Sequence, residues 1–510
     1  MEEALIKSVA EAGDREADPR KPSAKLAEIS ALLRGSLWLS CAEIGAALCT
    51  ACVSIVAARL IEPQAFGSVG AVLLVVSMLE ASTQSGFDRA LTQRPGEVGP
   101  FLDVAWTWQV LRGAALTVLS LALAPLVARW YHEPALAGMM LVVALCPMLR
   151  GFQNTAVVGL ARRLDFRRQL ALRLAQALGA MLLTLPALWL LRSWQGLCAR
   201  ALLGALVSVL VSFVIVPHRP RLVWDTTRLR ELFRYGRWIT GSTFIVFVIT
   251  QGDDLFVGKY LGLEALGLYQ MAFWLSNLPA THVAHLVSRV TFPVFASLQG
   301  QPERLRRAFL GVFSVVSLLS FSVSAALLLT APALVEHVLG RRWLEAVPAV
   351  RLLAVAGLLR SIAATGGALF QAIGRPDLEL KQNLPRFLVL VVFIWPMALH
   401  FRLPGVCLTV IIALVPALVV WAVTVRRLLG LSWRELFMPF AISLPVATLL
   451  AATLSIAGLC LPQGAIGALC AGLLGLIAWL ALLALIARLA GFSVFSKLTD
   501  TLELLREGGS

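Results

Sequence analysis

The sequence predicts an all-α polytopic membrane protein of about 14 transmembrane helices, arranged as two pseudo-symmetric six-helix bundles plus two extra C-terminal helices. Composition, a long series of apolar runs and an internal repeat lead to this fold class. Of the 510 residues, 59% are hydrophobic and 14% are charged, whereas soluble domains contain about 45–50% apolar and about 25% charged residues. Composition therefore excludes a disordered chain, a secreted disulfide scaffold and a soluble multi-domain enzyme.

Apolar runs long enough to cross about 30 Å of hydrocarbon fill the sequence between residues 36 and 490. Dividing these runs at clusters of charge, Pro and Gly gives the individual spans. The predicted spans lie near 36–58, 67–87, 104–127, 135–159, 170–191, 198–216, 238–258, 266–292, 309–332, 346–372, 384–400, 404–425, 437–460 and 464–487. They account for the apolar excess without any further domain.

The basic residues predict the orientation of these spans. The net charge is +15, and 32 of the 44 Lys and Arg lie in alternate connections that include both terminal segments, against 8 in the opposite connections. This asymmetry predicts cytoplasmic termini under the positive-inside rule. Because the basic residues lie between apolar runs, they indicate a membrane surface and no nucleic-acid partner. The N-terminal segment has no apolar core of a signal peptide, so it is expected to remain as a cytosolic tail.

The spans group into six regions. These are a cytosolic N-terminal tail at 1–35, a six-helix bundle at 36–216, a basic linker at 217–237, a second six-helix bundle at 238–425, two additional transmembrane helices at 426–490, and a cytosolic C-terminal tail at 491–510. In the linker, the spacing of Leu222, Leu229, Leu232 and Phe233 predicts an amphipathic helix at the cytoplasmic interface.

An internal repeat supports the two bundles. The stretch ARLIEPQAFG, residues 58–67, aligns with GKYLGLEALG at an offset of 200, which pairs Arg59 with Lys259 and Gly67 with Gly267. RGSLWLS and RYGRWIT align at the same offset, and MLR at 148–150 is similar to LLR at 358–360. Several ordered matches indicate two related halves, with the last two spans outside the repeat.

Cysteines and histidines do not predict a metal site. Most of the eight Cys fall inside apolar runs, and the Cys49 and Cys52 pair has no second pair or nearby His. We therefore interpret them as small buried apolar residues. No catalytic residue, metal or cofactor is predicted.

Several motifs together resemble a known family. ARLIEPQAFG, GFDRALTQR, DDLFVGKYLGLEALGLYQMAFWLSNLP, SRVTFPVFASLQGQPERLRRAF and ALFQAIGRPDLELK occur in order between about residues 30 and 430. They resemble the polysaccharide-export, Wzx-type branch of the multidrug/oligosaccharidyl-lipid/polysaccharide flippases. The resemblance implies helical bundles around a central cavity in the bacterial inner (plasma) membrane. It also implies export of a lipid-linked oligosaccharide for lipopolysaccharide or exopolysaccharide by alternating access, with membrane lipids and other polysaccharide-assembly proteins as partners.

Ionisable side chains inside spans are costly and are therefore functional candidates. They are Glu43, Glu80, Arg112, Arg150, Asp253, Asp254, His282, His285, Arg289, Arg351 and Arg360. A polyprenyl-diphosphate head group needs neutralising, and arginine grips phosphate oxygens with two hydrogen bonds. Arg112, Arg150 and Arg360 are thus candidates for a diphosphate clamp. The alternative is that each arginine extends to the interface or pairs with Glu80 or Glu43.

The remaining candidates have other roles. Glu43, Glu80, Asp253 and Asp254 are candidates for gating or ion coupling; the alternatives for the Asp pair are structural pairing with Lys259 and a carboxylate at the membrane interface. His282, His285 and Arg289 share one helical face and are candidates for lining the cavity.

Two other functions remain as alternatives to the flippase. A cation-coupled small-molecule exporter of the same superfamily predicts a cavity dominated by carboxylates, whereas arginines prevail among the candidates. A membrane glycosyltransferase or polymerase needs a large outer loop, and no predicted outer loop exceeds about ten residues, too few to form a catalytic domain. The prediction is therefore a transporter and not an enzyme.

Overall fold

A computed structural model describes residues 22–94, 97–163, 165–375 and 377–460. In this part of the chain every regular element is helical. The predicted span at 464–487 and the C-terminal tail lie outside the described residues, as do residues 1–21. The first helix already begins at Pro22 and continues into the first predicted span.

The first bundle contains nine α-helices. They are α1 (Pro22–Leu60), α2 (Pro63–Ser82), α3 (Phe87–Gln93), α4 (Gly99–Tyr131), α5 (Ala135–Val143), α6 (Leu145–Gly151), α7 (Val158–Arg162), α8 (Phe166–Leu191) and α9 (Trp194–Ile215). A short 3₁₀ turn, Thr155–Val157, leads into α7.

The second bundle begins with α10, and within the described residues, which end at 460, one further long helix follows it. The helices are α10 (Thr226–Tyr260), α11 (Leu263–Ser297), α12 (Pro302–Leu334), α13 (Val347–Ala372), α14 (Asp377–Leu429) and α15 (Trp433–Cys460). A π turn, Val335–Leu339, and a 3₁₀ turn, Arg341–Ala346, join α12 to α13. Helix α15 packs against α12.

To within one residue, twelve of the first thirteen predicted spans fall within a helix or within the bent segment around α5 and α6, whereas the span predicted at 67–87 extends beyond α2, which ends at Ser82. The spans predicted at 384–400 and 404–425 form one element, α14, which bends at Arg402, where φ is 49°. By length and composition, nine helices of the described part can cross a membrane, and ten if the bent pair Ala135–Gly151 and Thr155–Arg162 forms one span. The all-helical membrane fold is confirmed, while the count of fourteen stays a prediction.

The predicted amphipathic linker helix is wrong in its extent. Residues 216–225 have no regular structure, and α10 begins only at Thr226, where Asp225 caps it by accepting hydrogen bonds from the Thr227 and Arg228 amides at 2.9 and 3.0 Å. Leu232 is buried in the first bundle's core, whereas Leu222 is 72% exposed. The cap sets the start of the helix because its carboxylate satisfies amides that have no partner within the helix.

One apolar core joins the two bundles. It includes Ala57 and Val72 of the first bundle and Val257, Leu266 and Trp343 of the second. Trp343 is fully buried, and its indole Nε1 donates to the Ala58 carbonyl at 2.8 Å. This shared core identifies the end of the molecule at which the two bundles pack against each other.

Candidate functional site

The two bundles approach most closely at two glycines, Gly67 of α2 and Gly267 of α11. A Cβ atom at Gly67 would lie 1.6 Å from the Leu263 carbonyl oxygen, and one at Gly267 would lie 2.0 Å from that of Pro63. Only glycine permits backbones to pack this closely. We call this region, residues 58–67 and 258–267 with the facing ends of α4 and α12, the closed end.

Two basic residues bind carbonyl oxygens across the closed end. Arg59 of the first bundle donates to the Val338 carbonyl at 2.8 Å and also to that of His337, just after α12. Lys259 of the second bundle donates to the carbonyl of Trp130 at the end of α4. Cations stabilise the negative C-terminal end of a helix. Arg59 and Lys259 are equivalent in the sequence repeat. The same kind of contact, a basic side chain bound to a carbonyl oxygen of the opposite bundle, therefore occurs twice at the closed end.

A cavity of about 370 Å³ is lined mainly by residues of the first bundle, which include Glu80, Arg112 and Arg150, and also by Phe247 of α10. We call it the arginine cavity. Arg150 pairs with the Glu80 carboxylate at 2.6 Å, and Arg112 donates to the Glu80 carbonyl at 2.7 Å and to Thr83 Oγ1 at 3.0 Å. The Arg150 side chain is 47% exposed. Its guanidinium therefore remains accessible to a ligand despite the ion pair.

Two further glycines bring these arginines together. Each follows an arginine in the sequence: Gly113 on α4 and Gly151 on α6. A Cβ at Gly113 would lie 2.6 Å from the Pro147 carbonyl oxygen, and one at Gly151 would lie 2.7 Å from that of Gln109. Helices α4 and α6 thus touch through their backbones, which places Arg112 and Arg150 in one cavity.

A second cavity of about 670 Å³ lies in the second bundle, and its lining includes Arg360 and Arg386. The Arg360 guanidinium carbon lies 4.5 Å from the centre of the Phe273 ring. Arg360 Nη2 and Arg386 Nε are buried without a hydrogen-bond partner in the described part of the chain. Unpaired buried donors are costly, so these two arginines favour an anionic ligand.

The Asp pair on α10 is almost fully buried. Asp253 is 4% exposed and Asp254 is 6% exposed. Asp253 accepts a hydrogen bond from the Tyr269 hydroxyl at 2.5 Å and interacts electrostatically with Arg360 and Arg386. Both Asp253 and its hydroxyl partner belong to the second bundle. The predicted alternative of pairing with Lys259 is wrong, because Lys259 binds the Trp130 carbonyl.

A third cavity, of about 680 Å³, adjoins the arginine cavity in the first bundle. Five amide side chains line it, so we call it the amide cavity: Gln109, Gln153, Asn154, Gln169 and Gln176. Glu43 also lines it and lies 4.0 Å from Arg173. Surrounding protein raises the pKa of Asp88, another lining residue, and the charge of Arg112 partly opposes that rise.

The structure brings together some of the predicted residues and separates others. Glu80, Arg112 and Arg150 share a cavity, whereas Arg360 lines a different one. Glu43 lies in the amide cavity. His282, His285 and Arg289 fall on α11, and their side chains lie outside the described part of the structure.

Sequence reasoning missed Arg386, Tyr269 and the glutamines. Arg386 closely follows Arg375 and Lys381 in the sequence, so the charge pattern groups it with a connection and not with the ionisable residues of a span. Glutamine carries no charge, so a search for ionisable side chains inside spans does not find it. Within the described residues, no group of three His, Cys, Asp or Glu side chains forms a metal site.

Three comparisons relate the chain to known proteins. The family model described as polysaccharide biosynthesis protein matches residues 56–348. The lipopolysaccharide biosynthesis protein WzxC of Escherichia coli K12 is 25% identical over 403 residues, which cover 76% of this chain and 81% of that protein. The teichuronic acid biosynthesis protein TuaB of Bacillus subtilis is 25% identical over 295 residues, or 58% of this chain and 61% of that protein.

Among solved structures, the lipid II flippase MurJ in an inward closed conformation has a TM-score of 0.70 to this chain. The match is 14% identical and covers 89% of this chain and 99% of that one. At this identity the likeness concerns the fold. The family match and these relatives confirm the resemblance to polysaccharide-export proteins inferred from the motifs, and the structural match agrees with the fold that this resemblance implies.

Proposed function

This chain belongs to the polysaccharide biosynthesis protein family, and we propose that it is a flippase for polyprenyl-diphosphate-linked oligosaccharides. It moves its cargo across the inner membrane to the outer leaflet, for an exported or surface polysaccharide, by alternating access. The names of WzxC and TuaB, and the flippase MurJ with its similar fold, support this class of cargo.

One observation carries the proposal: the bundles are joined at one end, and the arginine-bearing cavities lie away from it. Glu80 is 13 residues further along α2 than Gly67, or about 20 Å at 1.5 Å per residue. A transporter that is sealed on one side and has a charged cavity toward the other has the arrangement that alternating access requires. The basic residues of the connections support cytoplasmic termini and an outward-facing closed end.

The cavities suit a diphosphate head group. Arg112 and Arg150 present two guanidinium groups in the arginine cavity, and Arg360 with Arg386 presents two in the second cavity. Each guanidinium can donate paired hydrogen bonds to phosphate oxygens. Arg112 and Arg150 meet the head group in the first bundle, and Arg360 meets it in the second. None of these contacts requires a covalent step, so the protein acts as a transporter and not as an enzyme.

Transport in proteoliposomes tests the proposal. A labelled lipid-linked oligosaccharide from the host is expected to cross with wild-type protein and to cross at least tenfold more slowly with the Arg112→Ala, Arg150→Ala double variant. Arg351→Ala is the matched control, because Arg351 also lies in a span but donates to the Leu328 carbonyl at 3.0 Å and lines none of the three cavities.

Equal rates for wild type and the double variant would overturn the role of these arginines. A wild-type protein that moves no lipid-linked oligosaccharide would overturn the proposed function itself. Triple replacement of Arg112, Arg150 and Arg360 by Ala separates the contribution of the second cavity from that of the first.

The buried Asp pair supports coupling of this transport to a cation. Two carboxylates with so little exposure are costly to hold as two charges in a low-dielectric interior. Asp253 and Asp254 therefore take up a proton or a metal cation during the cycle. An imposed proton or Na⁺ gradient is expected to accelerate transport by wild type and to have no effect on the Asp253→Asn, Asp254→Asn variant. Acceleration that persists in the variant would remove the pair from coupling.

A further inference from the structure

The amide cavity and the arginine cavity are neighbours that share two lining residues, Gln109 of α4 and Gln153, which follows α6. Gln109 precedes Arg112 by three residues, and Gln153 follows Arg150 by three residues. Both side chains are half-buried. A ligand that occupies the arginine cavity can therefore extend past these two amides into the amide cavity.

Gln109 and Gln153 differ from the other amides of this cavity. Gln169 donates to the Leu160 carbonyl at 3.0 Å, Gln176 donates to Ser208 Oγ at 3.1 Å, and Asn154 donates to the His218 carbonyl at 2.8 Å. The side-chain amides of Gln109 and Gln153 make no hydrogen bond within the described part of the chain, although the backbone amide of Gln153 donates to the Arg150 carbonyl. Hydrogen bonds within the protein thus hold three of the five side-chain amides in place, while the side chains of Gln109 and Gln153 can still bind a ligand.

Sugar hydroxyls match this lining. A hydroxyl group both donates and accepts, and a primary amide offers two donors and an acceptor. A volume of about 680 Å³ is within the range of small-molecule pockets, about 300–1,000 Å³. Phe166 adds an aromatic wall, and it reaches that place because Gly35 leaves room for its ring.

We propose that the amide cavity binds the first sugar residues of the cargo while the arginine cavity holds its diphosphate. The proposal rests on the proposed function, because it assumes that the cargo is a lipid-linked oligosaccharide. Since the sugar and the diphosphate are covalently joined, their binding sites must adjoin. The junction at Gln109 and Gln153 meets that requirement and makes these two residues determinants of sugar recognition.

The second bundle's cavity is a weaker candidate for the sugar. Three of its amides are engaged as donors: Gln371 donates to Glu379 at 3.0 Å, Asn383 donates to the Glu379 carbonyl at 2.9 Å, and Gln382 donates to the Ala363 carbonyl at 3.4 Å, while Gln382 Oε1 has no partner in the described residues. It shares no lining residue with the arginine cavity. Gln251 lines it and makes no hydrogen bond in the described residues, which makes it a matched control.

Binding of two probes to the purified full-length protein tests the proposal. One probe is undecaprenyl diphosphate, which has no sugar, and the other is the undecaprenyl-diphosphate oligosaccharide pool extracted from the host. We expect wild type to bind the oligosaccharide lipid more tightly. Gln109→Leu with Gln153→Leu is expected to weaken that binding about tenfold, as the loss of two hydrogen bonds predicts, and to change binding of the sugar-free lipid less than twofold.

The sugar-free lipid also reports on folding, because a misfolded variant loses both probes. If the double variant loses binding of both probes, Gln109→Asn and Gln153→Asn, which keep an amide, are measured in its place. An equal loss of binding of both probes in these variants overturns the proposal. No loss in the double variant overturns it as well, as does a selective loss of the oligosaccharide lipid in Gln251→Leu. Wild type that binds both probes equally overturns the sugar site alone, whereas wild type that binds neither overturns the proposed function too.

Discussion

The closed end and the cavities differ in how far they preserve the symmetry of the repeat. At the closed end, Gly67 and Gly267 face each other's backbone, and Arg59 and Lys259 each bind carbonyl oxygens of the opposite bundle. In the cavities the chemistry diverges. The first bundle pairs Arg150 with Glu80, whereas in the second bundle Arg360 and Arg386 each keep a donor that has no partner among the described residues.

The difference teaches which constraints act on each region. Opening and closing moves one bundle against the other, so a contact that resists this motion serves equally well from either side. The proposed cargo is not symmetric, because it has a charged diphosphate at one place and neutral sugars at the next. A two-fold arrangement of cavity residues would match only one of these groups.

Replacement of either closed-end glycine is expected to have the largest effect. A leucine at Gly67 would place its Cβ against the Leu263 backbone, which cannot move aside as a flexible side chain can. The bundles must then separate, and transport in proteoliposomes should fall more than tenfold. Hydrogen exchange of residues 258–267 should rise. Because the contact is reciprocal, Gly267→Leu should behave like Gly67→Leu.

Gly204→Leu is the control for this prediction. Gly204 lies in α9, and a Cβ atom added there meets no neighbouring atom within 4 Å. Its transport should stay near the wild-type rate. If Gly67→Leu transported normally, or if it and Gly267→Leu differed strongly, the closed end would not work as a symmetric contact.

Loss of the basic residues should weaken the closed end by a smaller amount. Arg59→Ala or Lys259→Ala removes a charged hydrogen bond at an exposed site, for which we expect about 1 kcal/mol, or roughly fivefold in the equilibrium between closed and open states. Hydrogen exchange of residues 58–67 and 258–267 measures this shift, and the two single variants should have similar effects.

Arg192→Ala is the matched control for these variants. Arg192 donates to the Trp189 carbonyl at the end of α8, so this hydrogen bond does not connect the two bundles. It should leave exchange at the closed end unchanged. A shift with Arg59→Ala but none with Lys259→Ala would mean that the sequence repeat does not extend to the function of these residues.

The sequence predicts the closed end better than it predicts the cavities. The repeat aligns Gly67 with Gly267 and Arg59 with Lys259, and hydropathy locates the helices, because both signals can be read directly along the chain. The grouping of Arg112 with Arg150 depends on the close approach at Gly113 and Gly151, which no linear pattern reveals. Gln109 and Gln153 are neutral, so only their position at a cavity junction distinguishes them from other polar residues.

The smallest predicted effect concerns Glu80 and tests the asymmetry of the cavities. Glu80 holds Arg150 in an ion pair and so competes with an anionic head group for that guanidinium. Ion pairs at partly exposed sites contribute up to about 1 kcal/mol. Glu80→Gln is therefore expected to tighten binding of undecaprenyl diphosphate about threefold.

The second cavity supplies the comparison, because its Glu379 accepts a hydrogen bond from Gln371 and forms no ion pair with Arg360 or Arg386. Glu379→Gln should leave binding of undecaprenyl diphosphate unchanged. Weaker binding by Glu80→Gln would mean that Glu80 orients Arg150 for the head group and does not compete with it. Equal tightening by both variants would mean that the two cavities draw the anion by their overall charge. In that case the asymmetry between the bundles would not extend to head-group binding.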